Sequence, residues 1–403
     1  MTPSSNTQQH IQQLLDKAQG FFIQSNHIEA IPLAEQAATL ANKENCTEEF
    51  IQANILLSRL ALRNAQYAGK KSQCAFQFIR ILENLEASAK SQIIIAIQSG
   101  EIYTYNEAFD EASTQLRHAL QLSQKDNYLQ GVLLALCALS RLSAKQNLLE
   151  EALETIENAT ALLQNTDTPI AEEIQADVYH TLSQIHLRRQ EYNKLHESCQ
   201  KALALSQSTR DIAKEMVASN NLGIYHATLM DKKTAMQHFL HALDISKQIG
   251  YRAMTGQYLI NIATLYAQLY NFDEASLRYN TLLQEYDDTI NDRTRLIVFN
   301  NLGNIQLTLE KPEDAQEHFE KSLQLARSIQ YKEMIAHTLA QLARTNILLN
   351  RYDLAKQQMN EAARLIKALG DVNGKQINLI NEGSILLHEE KFSDAIKLIS
   401  KGV

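Results

Sequence analysis

The stretch Asn220–Leu243, NNLGIYHATLMDKKTAMQHFLHAL, carries the pattern from which the architecture of the whole chain follows. The letters NNLG return at Asn300–Gly303, an offset of 80 residues, and a weaker echo, NIA, stands halfway between them at Asn261–Ala263. Within the stretch, Gly223 is followed 12 residues later by Ala235 and, four residues further on, by Phe239. The asparagines are either structural groups or a row of ligand-binding groups, and the two interpretations imply different functions.

A small residue, a second small residue after 12 positions and a large apolar residue after four more recur about every 40 residues. We call the first small residue of each copy its anchor. The anchors are Ala18, Ser58, Gly100, Ser140, Ser183, Gly223, Ala263, Gly303, Ala343 and Gly383. Longer intervals locate insertions near 85–87 and 165–169. Ten repeats therefore fill the chain, and no segment is left for a separate domain.

Each copy shows the apolar spacing of two helices separated by a short polar break, such as Glu310–Asp314, where Pro312 suits the first turn of a helix. One such hairpin cannot bury its own apolar faces, so neighbouring hairpins must stack. The sequence predicts one all-α solenoid over residues 1–403, of about ten helix-turn-helix repeats. The predicted repeats cover approximately 8–45, 48–88, 90–127, 130–165, 171–209, 213–249, 253–288, 293–329, 333–369 and 373–403.

The composition agrees with a helical protein and argues against several kinds of partner. Only 4 Pro and 12 Gly occur, and there is no Trp. The net charge is −8 with no block of like charges, which argues against nucleic acid. The four cysteines are widely separated, and the chain has neither a signal-peptide pattern nor an apolar run long enough to span a membrane. We predict a cytoplasmic protein without membrane or nucleic-acid partners.

The segment Asn221–Ala242 resembles the tetratricopeptide repeat, in which small residues let two helices approach closely. The resemblance covers essentially the whole chain, is most specific in the five C-terminal repeats, and implies a right-handed superhelical solenoid. The repeat is lengthened from 34 residues to about 40. This longer variety is similar to the repeats of Rap-type and PlcR-type peptide-sensing regulators, of kinesin light chains, and of the sensing regions of bacterial signalling proteins.

The resemblance implies that the first helix of each hairpin lines a concave groove where a peptide or protein segment binds. The ligand-binding residues so implied are Asn220, Asn221, Asn261, Gln268, Asn300, Asn301, Asn304, Gln341, Arg344, Asn381, Arg188 and Gln184. Equivalent positions in the N-terminal repeats hold Arg59, Arg63, Gln98, Glu101, Arg141, Lys145, Asp177 and His180. Basic side chains outnumber acidic ones among these positions, so the implied groove is basic.

The asparagines at these positions have two open interpretations. The repeat favours Asn two residues before the anchor, as at Asn221, Asn261, Asn301 and Asn381, where the amide can satisfy backbone groups between hairpins. Asn220, Asn300 and Asn304 lie where the repeat does not favour that residue, so binding is the better explanation for them. Amides alone give too little free energy for micromolar binding, and pairing with Arg188 or Arg344 would favour a ligand with a carboxylate or an acidic segment.

No pattern points to catalysis, a metal or a cofactor. The chain contains no G-x-S-x-G, H-E-x-x-H, phosphate loop or G-x-G-x-x-G, and its histidines lack ligand partners at metal spacing. We therefore predict a non-catalytic protein with no cofactor.

Three functions remain open from the sequence. The first is a peptide-binding or protein-binding module in signalling, with a groove over repeats five to ten. The second is the N-terminal regulatory region of a signalling enzyme, such as a diguanylate cyclase or histidine kinase, acting through a homodimer or domain contact. The short last helix, which ends at Val403, suggests a longer protein. The third is a structural scaffold.

Overall fold

A computed structural model of the chain describes residues 5–63, 71–82, 85–370 and 372–402. These residues form α-helices with short connections and one 3-10 turn, Asp287–Thr289, and the described ranges contain no strand. The prediction of an all-α protein is confirmed. The helices pack into two compact units, an N-terminal unit that ends at Tyr251 and a C-terminal unit that begins at Arg252. That residues 1–403 form one solenoid domain remains a prediction.

The N-terminal unit consists of twelve helices in the described ranges, which pack as six successive pairs. Their bounds are α1 Ser5–Ile23, α2 His27–Lys43, α3 Thr47–Arg63, α4 Lys71–Arg80, α5 Ala89–Tyr105, α6 Phe109–Lys125, α7 Leu129–Lys145, α8 Leu149–Gln164, α9 Glu172–Arg188, α10 Tyr192–Ser208, α11 Ile212–Thr228 and α12 Lys232–Gln248. Lys70, which stands where the repeat pattern expects the second small residue after the anchor Ser58, lies outside the described residues.

The C-terminal unit consists of eight described helices in four pairs. Their bounds are α13 Arg252–Gln268, α14 Phe272–Glu285, α15 Asp292–Thr308, α16 Pro312–Ser328, α17 Lys332–Leu348, α18 Tyr352–Leu369, α19 Val372–His388 and α20 Phe392–Gly402.

The anchors are small because a large residue of the second helix packs directly on them. A Cβ atom added to Gly223 would lie 2.5 Å from the ring of Phe239, and one added to Gly303 would lie 2.6 Å from the ring of Phe319. At the serine anchor Ser140, the hydroxyl also donates to the carbonyl oxygen of Ala152, 12 residues later, at 2.7 Å. The spacing in the sequence therefore records the contact between the two helices of a hairpin.

The turn inside each described hairpin has three residues, and the middle one has a positive φ between 55° and 64°. At Leu269–Asn271, the N–H groups of Tyr270 and Asn271 donate to the carbonyl oxygens of Ala267 and Tyr266, the double bond pattern that ends a helix with a left-handed residue. The side chain of Asn271 then accepts from the N–H of Glu274 and begins α14. One residue thus ends one helix and begins the next.

Candidate functional site

The first helices of successive hairpins in the N-terminal unit pack against one another. Such contacts join α3 to α5, α5 to α7, α7 to α9 and α9 to α11, whereas the described second helices make no comparable contacts. The first helices are therefore closer together and lie on the inside of the curve of this unit. We call the surface formed by Glu101, Arg141, Asp177 and Lys214, one from each of α5, α7, α9 and α11, the inner face.

The centre of the inner face is a pair of charges that links three repeats. Arg141 on α7 donates to the carboxylate of Glu101 on α5, and its other terminal nitrogen donates to Thr181 Oγ1 on α9 at 3.0 Å. Burial alone would lower the pKa of Arg141, but Glu101 and Asp177 outweigh it and raise that pKa. The guanidinium is held from both sides and stays charged.

A second ion network continues the first across α9 and α11. Lys214 Nζ lies 3.1 Å from Asp177 Oδ1 and 2.8 Å from Asp211 Oδ2. Asp211 also accepts from the backbone N–H of Lys214 at 3.1 Å and so caps the start of α11. Burial opposes ionisation of Asp177, yet Lys214 and Arg141 together lower the pKa of this carboxyl below its usual value. Asp177 and Lys214 are therefore both ionised at neutral pH.

His180 lies among these charges without becoming charged itself. Burial and the nearby Lys214 lower the pKa of the imidazole to about 4. Its Nε2 atom lies 3.2 Å from the side-chain nitrogen of Gln184, and its Nδ1 atom is enclosed without a hydrogen-bond partner in the described part of the chain. The ring is therefore neutral at physiological pH, and only one of its two nitrogens has a hydrogen-bond partner in the described part of the chain.

The basic residues at the ends of the first helices are used by the repeat itself. Lys145, at the end of α7, donates to the carbonyl oxygens of Thr104 and Tyr105 at 2.9 Å, and Arg188, at the end of α9, donates to the carbonyl of Ala144. Each cation satisfies the last carbonyls of the preceding first helix, where the helix dipole favours positive charge. Arg188, predicted as a ligand contact, is exposed but already has this partner.

The charged centre of the inner face remains reachable from solvent. The side chains of Glu101, Arg141 and Asp177 are 31%, 33% and 32% exposed, and that of Lys214 is 14% exposed. Each of them nevertheless has protein on most sides. A ligand lying along α5, α7 and α9 could contact these groups without a rearrangement of the helices. The side chain of Arg63, also predicted here, lies outside the described part.

Side chains on either side of the anchor pair across neighbouring repeats by one rule. The residue just after an anchor contacts the residue two before the next anchor, as Arg141 contacts Thr181 and as Arg59 Nε donates to Gln98 Oε1 at 3.1 Å. We call each such pair a rung. In the C-terminal unit the two residues of the rung, Thr264 and Asn301, are joined through the hydroxyl of Tyr279. This hydroxyl lies 3.0 Å from Thr264 Oγ1 and accepts a hydrogen bond from the Asn301 amide at 2.8 Å. Asn301 therefore has a structural partner.

The structure corrects the interpretation of Asn300 as an open groove residue. Asn300 is 3% exposed, and its amide donates to Ser322 Oγ at 2.6 Å and to Thr338 Oγ1 at 2.9 Å. These partners lie on α16 and α17, so the position three before the anchor points between hairpins and away from solvent. Asn220 occupies the same position, is 7% exposed, and lies 3.5 Å from the side-chain oxygen of Asn221, which is 3% exposed.

The other predicted residues of the C-terminal unit divide into buried and accessible groups. Asn381 is 2% exposed and donates to the carbonyl of Ala340, and Gln341 is 9% exposed. Asn261 and Asn304 are half-buried, and Gln268 and Arg344 are exposed. The structure brings Gln184 of the predicted set close to the charged inner face, through His180.

Sequence reasoning missed Lys214, Asp211 and Thr181. Asp211 and Lys214 lie in the first turn of α11, nine or more residues before the anchor Gly223, where the repeat pattern implied no groove residue. The available signal was the pair itself, since Asp at a helix start followed three residues later by Lys predicts both a cap and an ion pair.

A metal site finds no support in the described ranges. No group of three or more His, Cys, Asp or Glu side chains there could hold a metal ion. Nor is any helix in those ranges long and apolar enough to cross a membrane. A cleft of about 590 Å³ between α18 and α19, lined by Ile366, Lys367, Lys375 and Asn378 among others, contains none of the predicted site residues.

Comparisons with known proteins find a matching repeat family and one curated relative. Residues 294–368 match the model of the tetratricopeptide repeat. The type IV pilus assembly protein PilF of Pseudomonas aeruginosa is 30% identical over 153 residues, which are 38% of this chain and 54% of PilF. The match thus spans about half the length of that curated relative.

Three crystal structures share the fold at low sequence identity. Apo RapI superimposes with a TM-score of 0.60 and 14% identity, over 87% of this chain and 98% of RapI. A signal transduction ATPase with a tetratricopeptide repeat sensor from Pyrococcus horikoshii gives 0.58 and 13%, over 84% of this chain and 52% of that one. A Rap protein complexed with Competence and Sporulation Factor gives 0.51 and 13%, over 90% and 99%.

Proposed function

We propose that this chain, which is a tetratricopeptide repeat protein, is a non-catalytic module that binds an extended segment of a partner protein on the inner face of its N-terminal unit. One observation carries the proposal. Charged side chains from four successive first helices form a ladder that is fixed by bonds between repeats and yet is about one-third exposed at Glu101, Arg141 and Asp177.

Fixed polar groups of this kind suit recognition of an extended chain. Side chains that are already held in place lose little conformational freedom when a ligand binds. Hydrogen bonds to charged groups contribute about 1.5–3 kcal/mol each. About four such contacts would approach the roughly 8 kcal/mol of micromolar binding, which the asparagine amides alone would not reach.

Two of the structural relatives agree with a binding role. A Rap protein has been crystallised with Competence and Sporulation Factor, and the Pyrococcus horikoshii ATPase uses its tetratricopeptide repeats as a sensor. From these two proteins we carry over to this chain only the general role, which is a surface that binds a regulatory partner. The partner is a protein or peptide, and the location in the cytoplasm and a homodimer remain predictions.

The C-terminal unit provides further predicted contacts. Gln268 and Arg344 are exposed and Asn261 and Asn304 half-buried, so these four remain predicted contacts for the ligand. Arg344 is the side chain that best supports the expected carboxylate-bearing or acidic ligand, because Arg188 is used within the repeat.

Binding can be tested with defined peptides. Fluorescent nonapeptide pools, each with one fixed residue and mixed residues elsewhere, would be titrated with the full chain and followed by fluorescence anisotropy. At least one pool should bind, and Arg141→Gln should weaken that binding about tenfold, or about 1.4 kcal/mol. Arg117→Gln is the matched control, since Arg117 is an exposed arginine on the second helix α6 whose Nε donates to Ser113 Oγ of its own helix.

Two results would contradict the proposal. Either no pool binds the unmodified chain, or Arg141→Gln and Arg117→Gln have the same effect. Circular dichroism of both variants would show that the helices remain folded, so that a loss of binding is not a loss of structure.

A further inference from the structure

The cleft between α18 and α19 has the size of a small-molecule site. Its volume of about 590 Å³ lies within the range of about 300–1,000 Å³ that is usual for pockets that enclose a drug-sized ligand. Ala363 and Ile366 of α18 and Leu379 of α19 give it apolar walls. The cleft can therefore take up the apolar body of a small ligand.

The sequence explains why this space is open. At the preceding junction, between α16 and α17, Leu323 and Ile335 pack against the buried cluster that contains Leu339. The residues 40 positions later are Ala363 and Lys375. Because alanine is three carbon atoms smaller than leucine and the side chain of Lys375 is exposed, the corresponding space between α18 and α19 is not filled by the protein itself.

The charged side chains that line the cleft are arranged by sign. Lys367, near the end of α18, and Lys375, near the start of α19, lie at the end of the cleft where the two helices are connected. Both are exposed, and neither has a hydrogen bond or an ion pair in the described part of the chain. Glu382 lines the cleft seven residues after Lys375, which places it about 10 Å further along α19. One end of the cleft therefore favours a negative charge and the other disfavours it.

We propose that this cleft binds a small amphipathic organic acid, whose apolar body fills the cleft and whose carboxylate pairs with Lys367 and Lys375. The apolar body would remove the nonpolar walls from water, and the carboxylate matches the two ammonium groups in charge. Glu382 makes a second anionic group at the far end unfavourable, so the ligand is a monoacid. The site belongs to the C-terminal unit and does not depend on the proposed function of the inner face.

The charge of the ligand can be tested with a fluorescent fatty acid. Dansyl-aminoundecanoate, whose dansyl emission increases in an apolar site, would be titrated with the full chain beside two matched compounds that carry a primary amide or an ammonium group in place of the carboxylate. At about 50 mM NaCl we expect the acid to bind about tenfold more tightly than the amide, and the ammonium compound to bind most weakly. At about 300 mM NaCl the difference should shrink, because salt screens exposed charges. An amide that binds as tightly as the acid would overturn the carboxylate assignment.

Two kinds of variant locate the ligand. Ala363→Leu restores the residue type of Leu323 at the preceding junction, so it should fill the cleft and weaken binding of the acid at least about tenfold, while the urea midpoint stays the same or rises. Lys367→Gln and Lys375→Gln should each weaken binding of the acid about threefold and leave binding of the amide unchanged. Lys332→Gln is the matched control, since Lys332 is an exposed lysine at the start of the first helix α17.

Three results would contradict the inference. If Ala363→Leu binds the acid as tightly as the unmodified chain does, the ligand does not lie in this cleft. If Lys332→Gln weakens binding as much as Lys375→Gln, the lysines act only through net charge and the assigned contacts are wrong. If the unmodified chain binds no acid at concentrations up to about 1 mM, the site does not exist, and this result leaves peptide binding on the inner face untouched.

Discussion

The two units place different chemistry on the same rung. In the N-terminal unit Arg141 of the rung Arg141–Thr181 is ionic, pairs also with Glu101, and keeps about one-third of its side chain in solvent, whereas Thr181 is buried. In the C-terminal unit the corresponding bridge, Thr264–Tyr279–Asn301, is neutral, and Asn300 nearby is almost fully buried. A rung that contains a charged side chain therefore leaves polar surface for a partner to contact. A rung of amides and hydroxyls uses its polar groups within the protein.

The largest expected effect is a loss of stability at the glycine anchors, which both units contain. Gly223→Leu and Gly303→Leu would each drive a side chain into a buried ring, because the added Cβ alone lies 2.5 Å from Phe239 or 2.6 Å from Phe319. Each should lower the free energy of unfolding by about 3 kcal/mol, measured by urea denaturation. Gly20→Leu, with nothing within 4 Å of the added Cβ, is the control and should not destabilise. A clearly smaller effect at one glycine would show that the anchors are not equivalent.

The next effect is specific to the ion network of the N-terminal unit. Lys214→Met removes the cation that lies between Asp177 and Asp211 and should cost about 2 kcal/mol at pH 7. The folded pKa of Asp177 is lowered, so its contribution to stability is present above its usual pKa and is lost as the pH falls through the lower folded value. The difference between the variant and the unmodified chain should accordingly shrink in strong acid. A difference that is independent of pH would contradict the ionic account.

A neutral site should behave differently. Asn300→Ala removes two buried hydrogen bonds, to Ser322 and Thr338, and should cost about 1–2 kcal/mol at any salt concentration. Asn304→Ala changes a half-buried side chain and should cost less than about 0.5 kcal/mol. Thermal unfolding at low and high salt would measure both losses of stability. If the loss caused by Asn300→Ala depended strongly on salt, the C-terminal site would not be neutral and the difference between the two units would be wrong.

The last effect, small at neutral pH, is a pH dependence of stability in the N-terminal unit. The pKa of His180 is lowered to about 4, so the unfolded chain binds this proton more readily than the folded one, and stability should fall as the pH decreases from about 6.5 towards 4. The slope from one such group is at most about 1.4 kcal/mol per pH unit. The denaturation midpoint of the His180→Asn variant should change less with pH over this range. If it changes as much as that of the unmodified chain, groups other than His180 determine the pH dependence.

The fold was predictable because its determinants are local and repeated. Gly223, Ala235 and Phe239 reveal the contact between two helices by spacing alone, and the anchor recurs ten times at intervals of about 40 residues. Hairpins that cannot bury their own faces must then stack. The division after Tyr251 was not predictable, because the repeat pattern continues from the anchor Gly223 to the anchor Ala263 without a break.

The site was predictable only in part, because it depends on the rotation between neighbouring repeats. That rotation places the residue after one anchor beside the residue two before the next, so Arg141 meets Thr181, and it turns Asn300 inward. The residue types suggested polar contacts for both, but no spacing within one repeat distinguishes a buried amide from an exposed one. Lys214 was missed because it belongs to a first turn outside the repeat pattern.

The three-residue turn within each hairpin has a consequence for how such a protein can change in evolution. Because Asn271 both ends one helix and begins the next, an inserted residue there would break a cap on each side. The same double use occurs between hairpins at Asp211, but the seven residues between α8 and α9 show that a connection between hairpins can accept extra length. Gain or loss of sequence is therefore tolerated in whole units of about 40 residues or at their borders, and a genetic duplication would lengthen the surface by one rung while leaving the existing rungs in register.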